Sequence, residues 1–377
     1  MSGPSSSEDA KRRAAYVPFA LGGGALAIGL GLAAWGSMPR DDVTEGSSGP
    51  SSTAEVTSAT ATAEQAAGGA PPADEVTYEP DLSGDDIGRK LTSSGASAHG
   101  LAVIGERVVW IETDEARVAS MPLAGGEVTV LSSVADEDRY GGGFVAGDDG
   151  VFWSVGDVGG APDPIYFVTA KDLTLARPAL SPLATTGSVD ELALAGDLFV
   201  ADGGRLVKVD DEEQTLIAER PGRVAALVGC AGTLWWLEAP LSGRGEHALM
   251  TLDDERAARR AKLDEAERGP MTCGSGRVIW AEDRPDGTHR LARLEGDATV
   301  PLAATGTVTA LTASGPTLYW AEVHGEGASA VSLLRRMDGD AAERIGRDRG
   351  TTTALVVAGE RLVWATDDGL QVHSPGG

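Results

Sequence analysis

The sequence is short of the residues that usually carry chemistry. It has five histidines and two cysteines in 377 residues, and the histidines, at positions 99, 247, 289, 324 and 373, show no ligand-like spacing. G-x-S-x-G, H-E-x-x-H, phosphate-binding and dinucleotide-binding motifs do not occur. No linear motif therefore indicates an enzyme, and neither a metal site nor a cofactor is predicted.

Positive charge is scarce as well. There are 31 Lys and Arg against 57 Asp and Glu, which gives a net charge of -26. Residues 41–85 have no Lys or Arg at all. A surface this acidic repels phosphate groups, so the composition argues against nucleic acid as a partner.

One long apolar run stands out in residues 14–36, which carry no charge. About 20 apolar residues suffice for a helix to cross the hydrocarbon core of a membrane, so this run predicts a transmembrane helix. Basic residues at 11–13 precede it and acidic residues at 41–42 follow it. The positive-inside rule then makes residues 1–13 a basic cytoplasmic tail and places the rest outside the cytoplasm, in a periplasm or at the cell surface.

A cleavable secretory signal is the alternative interpretation of this run. Such signals have apolar cores of about 7–15 residues and end at an A-x-A-like site. Here the core is longer, and Trp35 occupies the middle of the candidate site. Both interpretations export the remainder. Residues 37–85, rich in Ser, Thr, Ala, Gly and Pro, are predicted to form a disordered, acidic linker.

Aromatic residues make up only 5% of the chain, yet eight of them are Trp. Six tryptophans end a short apolar run in a recurring setting, and a seventh copy has Val200 at the Trp position. Successive copies are separated by 36 to 47 residues, the period of a four-stranded propeller blade. The six are Trp110, Trp153, Trp236, Trp280, Trp320 and Trp364.

An aliphatic run and a glycine-containing turn precede each copy, the pattern of a β-hairpin. The last copy ends after three strands, whereas residues 87–93 resemble a fourth strand with nothing before it. We therefore predict an all-β fold in residues 86–377, a seven-bladed β-propeller whose first strand completes the last blade. A six-bladed ring and an open β-sandwich are the rival interpretations. Residues 253–268 have helix-like charge spacing, although the repeat register favours a strand there.

The repeats resemble those of YWTD-type propellers, such as the low-density-lipoprotein-receptor-like propellers and their bacterial relatives. The resemblance rests on WIETD at 110–114, WATDD at 364–368, WAED at 280–283, WAEV at 320–323 and the PLAGG turn at 122–126. It covers about 290 residues, but Tyr precedes Trp only at Tyr319 and the acidic position varies. The resemblance implies a propeller fold and binding outside the cytoplasm, and it transfers no catalytic residue.

Cys230 and Cys273 occupy nearly equivalent places at the ends of the first strands of two successive repeats. Such strand ends lie close together in adjacent blades, and exported proteins meet oxidising conditions. A disulfide is therefore a candidate, with two separate buried thiols as the alternative.

Residues that directly precede the first strand of each blade surround one mouth of the central channel. There the candidate ligand-binding residues are His99, Tyr140, Asp190, Glu191 and Arg223, followed by Pro270, Thr309 and Thr353. In a ligand pocket Arg223 would hold an anion and Tyr140 would stack. Ordinary loop residues are the alternative interpretation.

Acidic residues after the tryptophans invite a separate interpretation. They could bind calcium, but bonds to connecting backbone or a solubilising surface are favoured. They are Glu112, Asp114, Glu282, Asp283, Glu322, Asp367 and Asp368.

The sequence favours a non-enzymatic protein, a membrane-anchored module that binds or senses a protein or cell-envelope partner. An exported propeller hydrolase or lactonase with its site at the channel mouth is the alternative. A display protein without a small ligand is the third possibility.

Overall fold

The computed structural model describes residues 80–83, 86–96, 98–112, 117–133, 139–157, 162–175, 180, 182–210, 213–219, 222–240, 246–253, 256–263, 269–284 and 288–374. The predicted tail (1–13) and transmembrane helix (14–36) lie outside these residues, as does most of the predicted linker. Among the described residues, no helix has the length and apolar character needed to cross a membrane.

Short loops join 28 described strands into seven four-stranded sheets, here called blades 1 to 7. Strand β1 (Arg89–Thr92) comes first along the chain and belongs to blade 7. Blade 1 is β2 (Ala98–Ile104), β3 (Arg107–Glu112), β4 (Arg117–Pro122) and β5 (Thr129–Ser133); blade 2 is β6 (Arg139–Gly147), β7 (Gly150–Asp157), β8 (Asp163–Thr169) and β9 (Pro182–Thr186); blade 3 is β10 (Glu191–Ala195), β11 (Asp197–Asp202), β12 (Arg205–Asp210) and β13 (Glu213–Glu219); blade 4 is β14 (Gly222–Cys230), β15 (Thr233–Pro240), β16 (His247–Asp253) and β17 (Arg256–Leu263); blade 5 is β18 (Met271–Gly274), β19 (Arg277–Asp283), β20 (His289–Glu295) and β21 (Ala298–Thr305); blade 6 is β22 (Thr307–Ser314), β23 (Thr317–His324), β24 (Val331–Asp338) and β25 (Ala341–Arg349); blade 7 adds β26 (Ala354–Ala358), β27 (Arg361–Thr366) and β28 (Gly369–His373).

The ring is closed by β1, the first described strand. It pairs antiparallel with β28, with Arg89 opposite Val372 and Lys90 opposite Gln371. The first strand along the chain is the innermost one in blades 1 to 6, whereas β26 is innermost in blade 7. The inner strands contact one another in order, with β2 against β26. Seven blades and an all-β fold are thus confirmed. Within residues 253–268, whose charge spacing is helix-like, Arg256–Leu263 forms the strand β17, as the repeat register predicts.

The tryptophans are the main packing units between blades. All six are at most 1% exposed, and each indole lies in an apolar cluster shared with the preceding blade. Trp110, for example, packs with Ala354 and Val363 of blade 7, whereas Val200 takes this place between blades 2 and 3. The tryptophan period therefore follows from the need to fill a wedge between neighbouring blades.

A disulfide joins Cys230 to Cys273 with a Cα–Cα distance of 5.2 Å. These residues lie toward the ends of β14 and β18, the inner strands of blades 4 and 5. The bond therefore ties two neighbouring blades together at the end of the channel where inner strands terminate.

Residues 80–83 and 86–87, which precede β1, lie along β25, the outer strand of blade 6. Arg344 donates to the carbonyl oxygens of Asp81 and Ser83, and Arg347 donates to that of Leu82 at 2.9 Å. Ile87 donates its backbone N–H to the carbonyl of Arg347 at 3.1 Å. The chain is thus held on blade 6 before it enters blade 7, and this held segment covers part of an outer sheet edge.

Candidate functional site

The candidate residues belong to one end of the channel, here called the upper mouth, where the inner strands begin. Because each inner strand is antiparallel to the next strand, the residue two after each tryptophan also lies at this end. Ala98 is opposite Glu112 in blade 1, and Val308 is opposite Glu322 in blade 6. The upper mouth therefore combines two sets of polar residues, from first and second strands.

Three of the acidic residues that follow tryptophans hold the indole rings in place. The indole Nε1–H donates to the carboxylate two residues later, at 2.9 Å for Glu112, 3.0 Å for Glu282 and 2.9 Å for Glu322. These carboxylates are at most 6% exposed, so their interpretation as a solubilising surface is wrong. Glu112 also accepts the backbone N–H of Gly95 at 2.7 Å, the predicted kind of bond to connecting backbone.

Each of these buried carboxylates is also paired with an arginine on the third strand of its blade. Arg117 lies 2.6 Å from Glu112, Arg335 lies 2.7 Å from Glu322, and Arg290 pairs with Glu282. The arginine compensates the negative charge of the buried carboxylate, and a remaining lone pair of the carboxylate accepts the indole N–H. The Trp-x-Glu pattern with its arginine is therefore a structural unit.

Several predicted mouth residues form hydrogen bonds with the backbone of the propeller. His99 Nε2 donates to the carbonyl of Gly142 in blade 2 at 2.9 Å, and Thr353 Oγ1 donates to the carbonyl of Ala98 in blade 1 at 2.6 Å. Asp190 Oδ2 accepts the N–H of Gly203 at 2.7 Å within blade 3. These side chains thus help to hold the mouth in shape.

The remaining predicted mouth residues are placed as follows. Tyr140 lies in β6 opposite Gly156, and its side chain lies outside the described ones. The carbonyl of Pro270 accepts the N–H of Ala281 at 3.1 Å. Thr309 is buried at a β-bulge in β22, a position that re-aims a side chain.

Three of the connections between blades are held by a type of hydrogen bond that the sequence did not reveal. The first or second residue of the third strand in one blade accepts a backbone N–H from a residue just before, or near the start of, the first strand of the next blade. The pairs are Asp163 Oδ2 with Val189 N at 2.9 Å, His289 Nδ1 with Val308 N at 3.0 Å and Ser332 Oγ with Thr352 N at 2.8 Å. Three different residue types fill one role, so no sequence signature marks it.

Glu191 is a buried acid with an oxygen atom that lacks a partner. It is 6% exposed, and its Oε1 has no hydrogen-bond partner among the residues that the structure describes; Thr309 Oγ1 is a second such atom at the mouth. Burial raises the pKa of Glu191 to about 8, the charge of Asp190 raises it too, and Arg223 on blade 4 opposes both. At neutral pH the group is therefore largely an uncharged acid, able to donate one hydrogen bond and accept others.

The Trp-x-Glu pattern is absent from blade 3, as it is from blades 2 and 7. Val200 replaces the tryptophan in blade 3, and Asp202 stands where blades 1, 4, 5 and 6 have Glu. Burial and the charge of Asp190 raise the pKa of Asp202, while Arg205 at 3.5 Å lowers it. The acid is retained although the indole it would hold is absent, so blade 3 concentrates carboxyl groups at the mouth.

The stability of the fold is expected to depend on pH through Glu191. The folded protein retains this proton up to a pKa of about 8, whereas the ordinary pKa of a glutamic acid, 4.5, applies to the unfolded chain, so the free energy of unfolding falls as the pH rises between these values. Glu191→Gln should remove this pH dependence. Between pH 5 and pH 8 the free energy of unfolding of the variant should therefore fall by about 3 kcal/mol less than that of the original protein. Urea unfolding at both pH values measures it.

The exposed Glu213→Gln is the matched control, because Glu213 lies on the outer strand β13 away from the mouth. The free energy of unfolding of Glu213→Gln should depend on pH in the same way as that of the original protein. If Glu191→Gln shows the same pH dependence as the Glu213 control, Glu191 does not hold a proton that the unfolded chain releases.

Comparisons with known proteins support the fold alone. No protein-family model matches the chain, and no curated protein matches it either. Among solved structures, virginiamycin B lyase from Staphylococcus aureus is similar, with 14% identity, a TM-score of 0.57, and coverage of 76% of this chain and 97% of the lyase chain.

Two further solved structures are similar at the level of the fold. A chain of the mitotic checkpoint complex has 12% identity, a TM-score of 0.55, and coverage of 79% of this chain and 98% of that chain. Puromycin hydrolase has 16% identity, a TM-score of 0.50, and coverage of 72% of this chain and 51% of the hydrolase chain. Enzymes and a component of a protein complex thus share this architecture, and the chain itself is a seven-bladed β-propeller.

Proposed function

We propose that the protein is a binding or sensing module whose upper mouth receives a polar group of a protein or cell-envelope partner. The carrying observation is Glu191, a buried carboxyl without a partner among the described residues. At the same mouth, the side chains of His99, Asp190 and Thr353 are hydrogen-bonded to backbone groups of the propeller. The mouth thus combines a fixed frame with polar atoms available to a ligand, among them Glu191 Oε1 and Thr309 Oγ1, as expected of a preorganised binding site.

The proposed location is outside the cytoplasm, in a periplasm or at the cell surface. It rests on the apolar run at 14–36, the basic tail at 1–13 and the polar linker that follows. The disulfide between Cys230 and Cys273 supports export, because such bonds persist in oxidising compartments. The resemblance of the repeats to YWTD-type propellers points to the same role of binding outside the cell.

An exported hydrolase or lactonase is the second candidate, and one observation favours it. A carboxyl whose pKa lies near 8 can act as a general acid or base at neutral pH, and Glu191 is such a group. In a hydrolase, Glu191→Gln would abolish turnover while leaving substrate binding. A binding module would lose affinity and would show no turnover to lose.

Photo-crosslinking in the membrane-anchored full chain tests the proposed function. One crosslinking residue replaces Ser188, exposed at the upper mouth before β10, and a matched one replaces Glu360, exposed at the opposite end between β26 and β27. We expect a defined partner to be captured from position 188 and not from 360. Equal capture from both ends would contradict a site at the upper mouth.

The same experiment is repeated with Glu191→Gln and Arg223→Gln combined. Capture from position 188 should fall about tenfold or more, since the ionisable carboxyl and the guanidinium of the mouth are then lost. Thermal unfolding of the double variant checks that the ring is intact. Undiminished capture by a folded double variant would mean that the partner binds elsewhere on the upper face.

A further inference from the structure

We propose that the upper mouth between blades 3 and 4 recognises a small zwitterionic group, with its ammonium beside Glu191 and its carboxylate on Arg223. This inference rests on the proposed function and names the chemistry of the ligand that enters the mouth. A carboxyl group of blade 3 and a guanidinium of blade 4 lie on the two sides of a blade boundary here, and within the described residues neither Glu191 Oε1 nor the Arg223 side chain has a hydrogen-bond partner.

Strand alternation directs Glu191 toward blade 4. Ala193 and Ala195 of β10 pack in the apolar cluster shared with blade 4, whereas Leu192 and Leu194 pack in the cluster shared with blade 2. Side chains alternate between the faces of a strand, so Glu191 lies on the face of Ala193 and Ala195. A buried carboxyl is normally hydrogen-bonded, and its Oε1 has no partner within the described residues. It is therefore available to a ligand that enters between the two blades.

Arg223 is the complementary group on blade 4. It lies near the start of β14, opposite Ala239, and is half-buried. No hydrogen bond or ion pair of the Arg223 side chain occurs among the described residues, although its charge acts on Glu191. Arg117, Arg290 and Arg335 at the same end of the ring each have a buried carboxylate as partner. Within the described residues, the guanidinium of Arg223 has no such partner and can take an external anion.

The distribution of charge across the blade boundary favours a ligand with both signs. Blade 3 contributes Asp190 next to Glu191, while the nearby Asp202 is paired with Arg205 at 3.5 Å. Blade 4 contributes Arg223. An ammonium supplies the donors that carboxyl oxygens accept, and a carboxylate matches the planar guanidinium. A carboxylate alone would pair with Arg223 and leave the oxygen acceptors of blade 3 unused, whereas an ammonium alone would leave Arg223 without an anion.

The separation between the two groups is held by close contacts of the inner strands. Val224 donates its backbone N–H to the carbonyl of Gly203 at 2.9 Å, which joins blade 4 to blade 3 directly beside the site. At the other end of β14, a Cβ on Gly229 would lie 1.6 Å from the carbonyl oxygen of Leu194, so the strands approach as closely as glycine permits. A fixed separation selects ligands by the distance between their charged ends.

Isothermal titration calorimetry with the full chain in detergent micelles tests the inference. The probes are glycine, β-alanine, γ-aminobutyrate and 5-aminovalerate, with methylammonium and acetate as single-charge controls. We expect one length of amino acid to bind best, and both single-charge probes to bind about tenfold or more weakly. The preferred length then measures the separation between Glu191 and Arg223.

Variants assign the two ends of the ligand. A bound ammonium favours the ionised form of Glu191, which Gln cannot adopt, so Glu191→Gln and Arg223→Gln should each weaken the preferred zwitterion about tenfold or more. Arg223→Gln should also remove residual acetate binding. Arg205→Gln is the matched control, since Arg205 lies near the site but is paired with Asp202. It should leave the affinity within about twofold. Unfolding midpoints show that each variant is folded.

The outcomes separate this inference from the proposed function. Acetate binding as tightly as every zwitterion would overturn the inference in favour of an anion site, and equal binding of methylammonium would replace it with a cation site. If no probe binds while crosslinking at position 188 still depends on Glu191 and Arg223, the zwitterion is wrong and the binding function stands. If both experiments are negative, both proposals fail.

Discussion

A chain that begins at residue 95 is expected not to form a closed, cooperatively unfolding ring. It lacks β1, which supplies the outer strand of blade 7 and pairs along β28. Leu91 of β1 also packs against the apolar cluster shared by blades 7 and 1. Loss of a full strand from a ring removes about 5 kcal/mol or more and exposes the edge of β28 to other chains.

The matched control is a chain that begins at residue 88. It keeps β1 but loses residues 80–87 and their bonds to Arg344 and Arg347. We expect it to unfold cooperatively, with a free energy of unfolding about 1–2 kcal/mol lower than that of the full chain and a correspondingly lower urea midpoint. Urea unfolding monitored by Trp fluorescence, with size-exclusion chromatography for association, distinguishes the two chains. Similar midpoints for both would show that β1 does not close the ring in solution.

The overall fold could be predicted because its signals are local and repeated. Each tryptophan ends a short apolar strand after a glycine turn, and the copies recur with one period. Closure followed from the missing fourth strand of the last repeat. The tryptophans fill the same wedge in blade after blade, so sequence and packing share one periodicity.

The polar contacts of the mouth could not be predicted in the same way. His99 and Thr353 were candidates for ligand binding, but they reach carbonyl groups of neighbouring blades. Such bonds join residues that are distant in sequence, here 43 and 255 positions apart. Glu191 was placed at the mouth by its position alone. Its burial and its lack of a partner depend on blade 4, which no pattern within blade 3 encodes.

The buried acids after the tryptophans illustrate the same limit. The sequence shows Trp-x-Glu in several repeats, and a charged residue at a strand end is usually exposed. The structure places Glu112, Glu282 and Glu322 inside, because an indole N–H and an arginine satisfy each carboxylate. The arginine lies at a variable distance along the chain, so the unit cannot be read as a motif.

Glu322→Leu is expected to lower the free energy of unfolding by about 3–5 kcal/mol. Glu322 is fully buried, accepts the indole N–H of Trp320 at 2.9 Å, and lies 2.7 Å from Arg335. Leucine roughly fills the volume of the glutamate side chain. It leaves the guanidinium of Arg335 without its carboxylate and the indole N–H of Trp320 without its acceptor, in a buried site. Urea unfolding at pH 7 measures the loss.

Combination of Glu322→Leu with Arg335→Leu decides whether the cost comes from the stranded charge. Removal of one member of a buried ion pair is far more costly than replacement of both by apolar groups, so the double variant should recover about half or more of the loss. Glu343→Leu is the control, since its ion pair with Arg336 is exposed and should contribute little. If the double variant is less stable than Glu322→Leu alone, the arginine stabilises blade 6 by packing rather than through the carboxylate. In that case the Trp-x-Glu unit would depend on the indole hydrogen bond, and Trp320→Phe should reproduce most of the effect of Glu322→Leu.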